Sequence, residues 1–202
     1  LKTALVVRVG RDSDGQAVIQ HLRSEQVDTR LVQHDSGMNT GLSFLVVETK
    51  TNEHVALVDY GANDHLTLSR QVIQKNPQWW YVSSLSTKRW PQLVRQLTKT
   101  KALLAWNPGS TQLQGYRQMK PFLKKTELLL LNKDEATELS ARTTLTPQQY
   151  GSRIVIVTDG RHGAKAYIGG RVLSVKPTMH TAKDTTGAGD AFGSSVVAGL
   201  IK

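Results

Sequence analysis

Apolar positions along the chain fall into short runs whose spacing switches between strand-like and helix-like. Ala4–Val9 is a nearly continuous apolar run and predicts a buried strand, and Gly15–Ser24 predicts a helix with Ala17, Ile19 and Leu22 turned inward. A β-dominated region follows from about Thr29 to Asp59. Its expected strands are Arg30–Gln33, Leu42–Glu48 and His54–Tyr60, with a hairpin turn at Thr49–Glu53. Strands and helices then alternate: helix Leu66–Lys75, strand Trp79–Val82, helix Pro91–Lys99, strand Ala102–Trp106, helix Gly115–Lys124 and strand Leu128–Leu131. The last set is helix Asp134–Leu139, strand Ile154–Thr158, hairpin Ala164–Val175 and a small, apolar helix from Ala191 to Ile201. This rhythm favours an α/β layer with a mostly parallel sheet, and the helix-free cluster of strands is expected to leave that layer.

Composition narrows the class without naming a chemistry. At 202 residues, with 39% hydrophobic residues and four Trp, the chain can bury one core of ordinary size and is not a disordered segment. It has no Cys, which excludes a disulfide framework and a thiolate metal site and fits an expected cytoplasmic address. No apolar run approaches the ~18 residues that a membrane span needs. The opening Leu-Lys-Thr-Ala-Leu-Val-Val lacks the layout of a signal peptide. A formal charge of +10 raises nucleic-acid binding as a reading. The charges read as spread along the chain, and the densest stretch, Lys88 to Lys101, spaces them between Leu93, Val94 and Leu97 like an exposed helix face. A solvated basic surface, able to steer anionic substrates, is therefore preferred over nucleic-acid binding.

The segment Asp184-Thr185-Thr186-Gly187-Ala188-Gly189-Asp190-Ala191-Phe192-Gly193 carries the most chemistry. A glycine-rich turn that opens a helix presents backbone N–H groups without intrahelical partners at the positive end of the helix dipole. Such a terminus suits a phosphate or a developing anion, and Gly187 and Gly189 let the backbone approach it closely. Asp190 is out of place in a plain phosphate cradle, since it would repel the anion. Its natural work there is to accept a proton from a hydroxyl attacking a phosphoryl group. On its own, an acidic residue in a first helical turn is explained by the dipole. Two other nucleotide motifs are excluded. There is no Gly-x4-Gly-Lys-Ser/Thr, and no second strand follows Gly187-x-Gly189-x3-Gly193 to complete a dinucleotide fold.

This run resembles the second signature of the ribokinase-like (PfkB-type) carbohydrate kinases. The resemblance continues in order through Asn132-Lys133-Asp134-Glu135, Val157 to Ala164, Val9 to Gly15, Thr40-Gly41 and Gly61-Ala62-Asn63, and so spans nearly the whole chain, 1–202. It implies a three-layer α/β/α sandwich with a mostly parallel central sheet and a small β-sheet lid drawn from about 29–60. It also implies Asp190 as catalytic base, with Gly187, Ala188 and Gly189 as the anion hole. Asn132, Thr158, Gly160 and Gly163 fall on the nucleotide side. Glu135 is assigned to Mg2+, acting through water, and Asp184 with the Thr186 carbonyl to K+ in members that bind a monovalent cation. The local alternatives are a capping box for Asn132 and Glu135, an ordinary turn for Asp159-Gly160 and a turn cap for Asp184.

Against the family pattern, the chain is expected to lack the first strand with its substrate-binding aspartate and the terminal segment that encloses adenine. Ser140 to Ser152 also looks short for a helix-containing connection. The resemblance implies transfer of phosphate from ATP to a hydroxyl of a small sugar. Exposed strand edges pair readily, so the lid edge is expected to be able to join a second subunit in a homodimer. A nucleoside kinase of the same superfamily, or a non-catalytic nucleotide-binding module, are the alternatives.

Overall fold

A computed structural model describes residues 1–48, 54–85, 87–178 and 185–201. The expected turn at Thr49–Glu53 lies outside the described residues, as does Asp184. The chain folds as two compact units, residues 1–72 with 87–89, and residues 73–85 with 90–201.

In the first unit, strand β1 (Arg8–Val9) leads into helix α1 (Ser13–Ser24), and β1 pairs in parallel with β2 (Gln33–His34). Much of the expected Ala4–Val9 strand is held by a single bridge from Ala4 to Asp28. Helix α1 starts where it does because Asp12 caps it, its Oδ1 accepting the Gly15 N–H at 2.8 Å. The same carboxylate ties down the Thr40 loop, accepting the Thr40 hydroxyl and the Thr40 N–H, each at 2.6 Å. Those bonds, the Thr40 hydroxyl foremost, draw the Asp12 pKa down to about 2. A second carboxylate, the buried Asp35, accepts the N–H groups of Gly37 and Met38 at 2.9 and 3.0 Å. It also binds Arg8 Nε and His65 Nδ1, each at 2.8 Å. These partners, the Gly37 N–H first, hold Asp35 well below the usual carboxylate range.

Strands β3 (Leu42–Val47) and β4 (His54–Asp59) form a separate antiparallel pair, and β2 does not join it. The register sets Phe44 opposite Leu57 and Val46 opposite Val55, each at least 60% exposed. Leu45, Val47 and Val58 are exposed on the other face. A sheet with one solvated face normally alternates apolar and polar residues. This one is apolar on both.

The expected helix Leu66–Lys75 shrinks to α2 (Arg70–Ile73), preceded by a 3-10 turn at Gly61–His65. The reason is a competing side chain. Gln33 Nε2 donates to the Thr67 carbonyl at 2.6 Å and its Oε1 accepts the Thr67 N–H at 3.3 Å, so that backbone is not free to join a helix.

The second unit is a six-stranded sheet. Strands β5 (Trp79–Val82), β6 (Leu103–Trp106), β7 (Leu128–Asn132) and β8 (Ile154–Thr158) run parallel, and the hairpin β9 (Ala164–Ile168) and β10 (Arg171–Val175) completes it antiparallel. The spatial order is β10-β9-β8-β7-β6-β5. Between the parallel strands lie α3 (Trp90–Leu97), α4 (Ser110–Gln114), α5 (Tyr116–Leu123) and α6 (Lys133–Thr143), and α7 (Ala188–Ile201) closes the chain. The expected helix at Gly115–Lys124 is α5, and a further short helix, α4, precedes it and meets it at Gly115. Helix α4 starts where it does because Gln112 Oε1 reaches back to the Gly109 N–H at 2.8 Å. Helix α6 runs past the expected Leu139 to a left-handed cap at Thr144, so the Ser140 to Ser152 connection is partly helical.

Strand residues alternate between two buried faces. Ala105, Leu128, Leu130, Ile154 and Ile156 pack with Val197 and Phe192 of α7. Trp106, Leu129, Leu131 and Val155 are buried on the other side, where Trp106 meets Trp90 of α3 at 5.7 Å between ring centroids. Helices therefore cover both faces, as the three-layer α/β/α expectation requires. The positive charge is less evenly spread than the sequence reading held. Between Asp64 and Glu127 there are eleven Lys or Arg and no acidic residue. Several of these cations, including Arg95, Arg117 and Lys120, are exposed on α3 and α5.

Helix α7 reaches its seat through a glycine. A Cβ at Gly193 would collide with the Tyr81 hydroxyl and lie 3.1 Å from Leu130 Cδ1. That hydroxyl is buried and has no hydrogen-bond partner among the described residues. Gly193→Ala is therefore expected to cost about 1–3 kcal/mol in urea unfolding. Tyr81→Phe leaves stability unchanged or raises it by up to about 1 kcal/mol, because it removes an unsatisfied buried group, and it softens the Gly193→Ala penalty in the double variant. In the first unit, folding lowers the Asp12 pKa from 3.8 to about 2, so the native state binds fewer protons there than the unfolded chain. The stability contributed by Asp12 is present above pH ~4 and is lost as pH falls toward 2. Melting curves should show the wild-type advantage over Asp12→Asn shrinking across that window.

Candidate active site

The carboxyl ends of four parallel strands form one edge of the second unit. Ser83 follows β5, Asn107 follows β6, Asn132 ends β7 and Thr158 ends β8. The edge is knitted at its middle, where the Asn107 N–H bonds to the Val82 carbonyl at 2.8 Å and its Nδ2 to the Leu130 carbonyl at 3.1 Å. Neighbouring strands lie about 4.8 Å apart, so β5 and β8 are separated by roughly 14 Å along this edge. Ligands of open α/β sheets bind outside such carboxyl ends.

At the β7–β8 end, Asn132 and Thr158 are direct register partners. Asn132 caps α6, with Oδ1 accepting the Glu135 N–H and Glu135 Oε2 accepting the Asn132 N–H, both at 2.8 Å. The capping box is therefore real. It also holds the Glu135 carboxylate back against the strand end, where burial first, and then Glu138 and Asp134, raise its pKa against the lowering pull of the Asn132 N–H. Lys133 Nζ reaches Asp159 Oδ2 at 3.0 Å, and His162 Nδ1 lies 3.5 Å from Oδ1, so Asp159 sits below its ordinary value, chiefly through the Lys133 bond. Gly160 has φ +47° with open space where a side chain would be. Gly163 has φ +96°, and a Cβ there would run into the Val175 carbonyl. Packing of the β9–β10 hairpin is thus a sufficient reason for that glycine.

At the β5 end stands the first turn of α7. The helix begins at Ala188, three residues before the expected Ala191, so Ala188, Gly189 and Asp190 are its opening residues; the Ala188 N–H is taken by the Thr185 carbonyl at 3.1 Å, while those of Gly189 and Asp190 have no intrahelical partner among the described residues. Gly187 has φ +75°, a left-handed conformation that glycine adopts without strain. Gly189 meets nothing within 4 Å of an added Cβ, and residues 185–190 are all exposed, Thr186 among them. Ser83 Oγ donates to Asp190 Oδ1 at 3.1 Å.

The structure thus brings Asn132, Glu135, Thr158 and Gly160 together at one end of the strand edge, and Gly187 to Asp190 at the other. Of the potassium pair, Thr186 is exposed and Asp184 lies outside the described residues. Sequence reasoning passed over Ser83, Lys133 and Asp159. Only the position of Ser83 and Asp159 just beyond strands offered a hint.

The full length of the chain, residues 1–202, matches the model of the pfkB family carbohydrate kinases. The chain belongs to the pfkB carbohydrate kinase family. It falls thereby in the class of ATP-dependent sugar kinases. A protein of Archaeoglobus fulgidus named an uncharacterized sugar kinase is 27% identical, with all of this chain covering 84% of that protein. The Haemophilus influenzae ribokinase is 25% identical, all of this chain covering 69% of it. Among solved structures, an uncharacterized sugar kinase from Pyrococcus horikoshii in complex with ATP superposes with TM-score 0.83 at 21% identity, over 100% of this chain and 70% of that one. The Burkholderia thailandensis nucleoside kinase in complex with inosine superposes with TM-score 0.84 at 16% identity, over 96% of this chain and 66% of that one. These likenesses establish the ribokinase fold. Among the described residues no helix is long and apolar enough to cross a membrane.

The capping geometry separates two roles at the β7 end. Asn132→Ala should cost about 1 kcal/mol in denaturant unfolding. Glu135→Gln keeps an oxygen that can accept the Asn132 N–H, so it should move stability by no more than about 0.5 kcal/mol.

Proposed function

We propose that the protein transfers the γ-phosphoryl group of ATP to a hydroxyl of a small sugar, with Asp190 as general base. The observation that carries this reading is the placement of Asp190 in the exposed first turn of α7, directly after the left-handed Gly187. In the proposed step an Asp190 carboxylate oxygen takes the acceptor hydroxyl proton while the acceptor oxygen attacks the γ-phosphorus. The bond from that phosphorus to the β–γ bridging oxygen breaks, and the electron pair leaves with ADP. Gly187, Ala188 and Gly189 are assigned to the anion hole, the Gly189 N–H at the open helix end facing the charge that develops on the transferred group and the Ala188 N–H having to exchange its bond to the Thr185 carbonyl to join it. Asn132, Thr158, Gly160 and Gly163 are assigned to the nucleotide side.

For Mg2+, the donor set suits an ion that keeps most of its ligands as water and phosphate. Among the described residues no cluster of three or more His, Asp or Glu could hold a metal, and Glu135 is one carboxylate with an oxygen left beyond its capping bond. Glu135 would hold the ion through water, and the ion when bound neutralises phosphate charge. No step is assigned to K+, since half of its candidate pair, Asp184, is outside the described residues. The β3–β4 pair is assigned the lid role, and its apolar exposure on both faces supports a homodimer through it.

The test is ADP release against ribose, fructose, 2-keto-3-deoxy sugar acids and nucleosides, beside Asp190→Asn. Nucleosides belong in the panel because nucleoside kinases share this fold. Acceptor-dependent turnover that falls roughly 10²–10⁴-fold in Asp190→Asn, with ATP binding retained, is the expected outcome. ATP binding without turnover on any acceptor would instead favour a non-catalytic nucleotide-binding module.

A further inference from the structure

We infer that Ser83 is a positioning residue for Asp190; this rests on the reading of Asp190 as the base. The pleat of β5 makes the assignment specific. Successive residues point to opposite faces. Tyr81 and Ser83 face α7, where Tyr81 meets Gly193 and Ser83 meets Asp190. Ser84 is on the other side, against Gly109.

The consequence for Asp190 is geometric. A carboxylate has two oxygens and about four lone-pair positions. The Ser83 hydroxyl occupies Oδ1 at 3.1 Å and leaves Oδ2 for the acceptor proton. The side chain stands at an exposed helix terminus, where several rotamers are open to it unless something ties it down. The strand supplies that tie from the rigid part of the unit, 107 residues away in sequence. The Tyr81–Gly193 contact one turn further along sets how close α7 lies to β5, and so the reach of the Ser83 bond. Ser83 touches the base and acts through it.

Ser83→Ala and Ser83→Thr, with Asp190→Asn alongside, test this in the intact protein. For whichever sugar or nucleoside of the panel turns over, Ser83→Ala should lower kcat roughly 10-fold, a loss of alignment rather than of the base itself, with KM for ATP and acceptor changed by less than about 2-fold. Ser83→Thr, which keeps the hydroxyl, should recover most of that rate. A second readout needs no acceptor. Three-bond couplings of 13C,15N-labelled Asp190 should report one χ1 rotamer in the wild type and in Ser83→Thr, and averaged rotamers in Ser83→Ala, with melting curves confirming that all are folded. If Ser83→Ala keeps wild-type kcat, raises only KM, or leaves Asp190 in one rotamer, the inference is overturned. If Asp190→Asn itself retains turnover, the general-base reading fails, whatever Ser83 does.

Discussion

A parallel sheet has to be covered on both faces, and in this protein that requirement determines where chemistry can occur. Strands β6, β7 and β8 are apolar on both sides; α7 covers one face, and on the other Trp106 of β6 packs against Trp90 of α3. With both faces closed, polar side chains are left the ends of the strands. Because β5 to β8 all point the same way, Ser83, Asn107, Asn132 and Thr158 emerge at one edge. The N-termini of α6 and α7 add partial positive charge there, which suits the proposed nucleotide site.

The same edge shows how structural and functional demands share residues. Asn132 and Glu135 cap a helix with two reciprocal bonds, and the capping geometry is also what holds the Glu135 carboxylate beside the strand end. Gly163 looks like part of a nucleotide motif and is needed by a hairpin; Gly193 looks like the tail of a glycine signature and is needed by a helix that must pass Tyr81. Gly187 differs, since its backbone is left-handed while an added Cβ would meet nothing within 4 Å. Its conformation answers to the turn it makes.

The first unit is held by buried or fully bonded carboxylates more than by apolar packing. Asp12 joins the start of α1 to the Thr40 loop, and Asp35 joins β1, the chain after β2 and the 3-10 turn at His65. Removing either carboxylate would strand several donors at once. The two-faced apolar β3–β4 pair contributes little to that framework and leaves its side chains in solvent. The exposed cations Arg95, Arg117 and Lys120 of α3 and α5 belong to the second unit and add to the general field of the protein.

The sequence alone determined the order and type of most elements, and the identity of the turn before α7. Apolar runs such as Leu128–Leu131 and Ile154–Thr158 have no other home than a buried parallel strand, and Gly-Ala-Gly-Asp entering a small apolar helix carries its chemistry locally. Where local preference met a distant partner, local reasoning failed. Thr67 looked helical, and Gln33 took its backbone bonds. The short helix before Gly115 was missed for a different reason, a local one: Gln112 reaches back only three residues to the Gly109 N–H. Asp35, Arg8 and His65 carry no motif, because their meaning lies in bonds across 27 and 30 residues. Only tertiary structure could decide that Tyr81 and Ser83 face Gly193 and Asp190. A strand's pleat sets which side chains share a face, but which helix covers that face is settled by packing of the whole sheet.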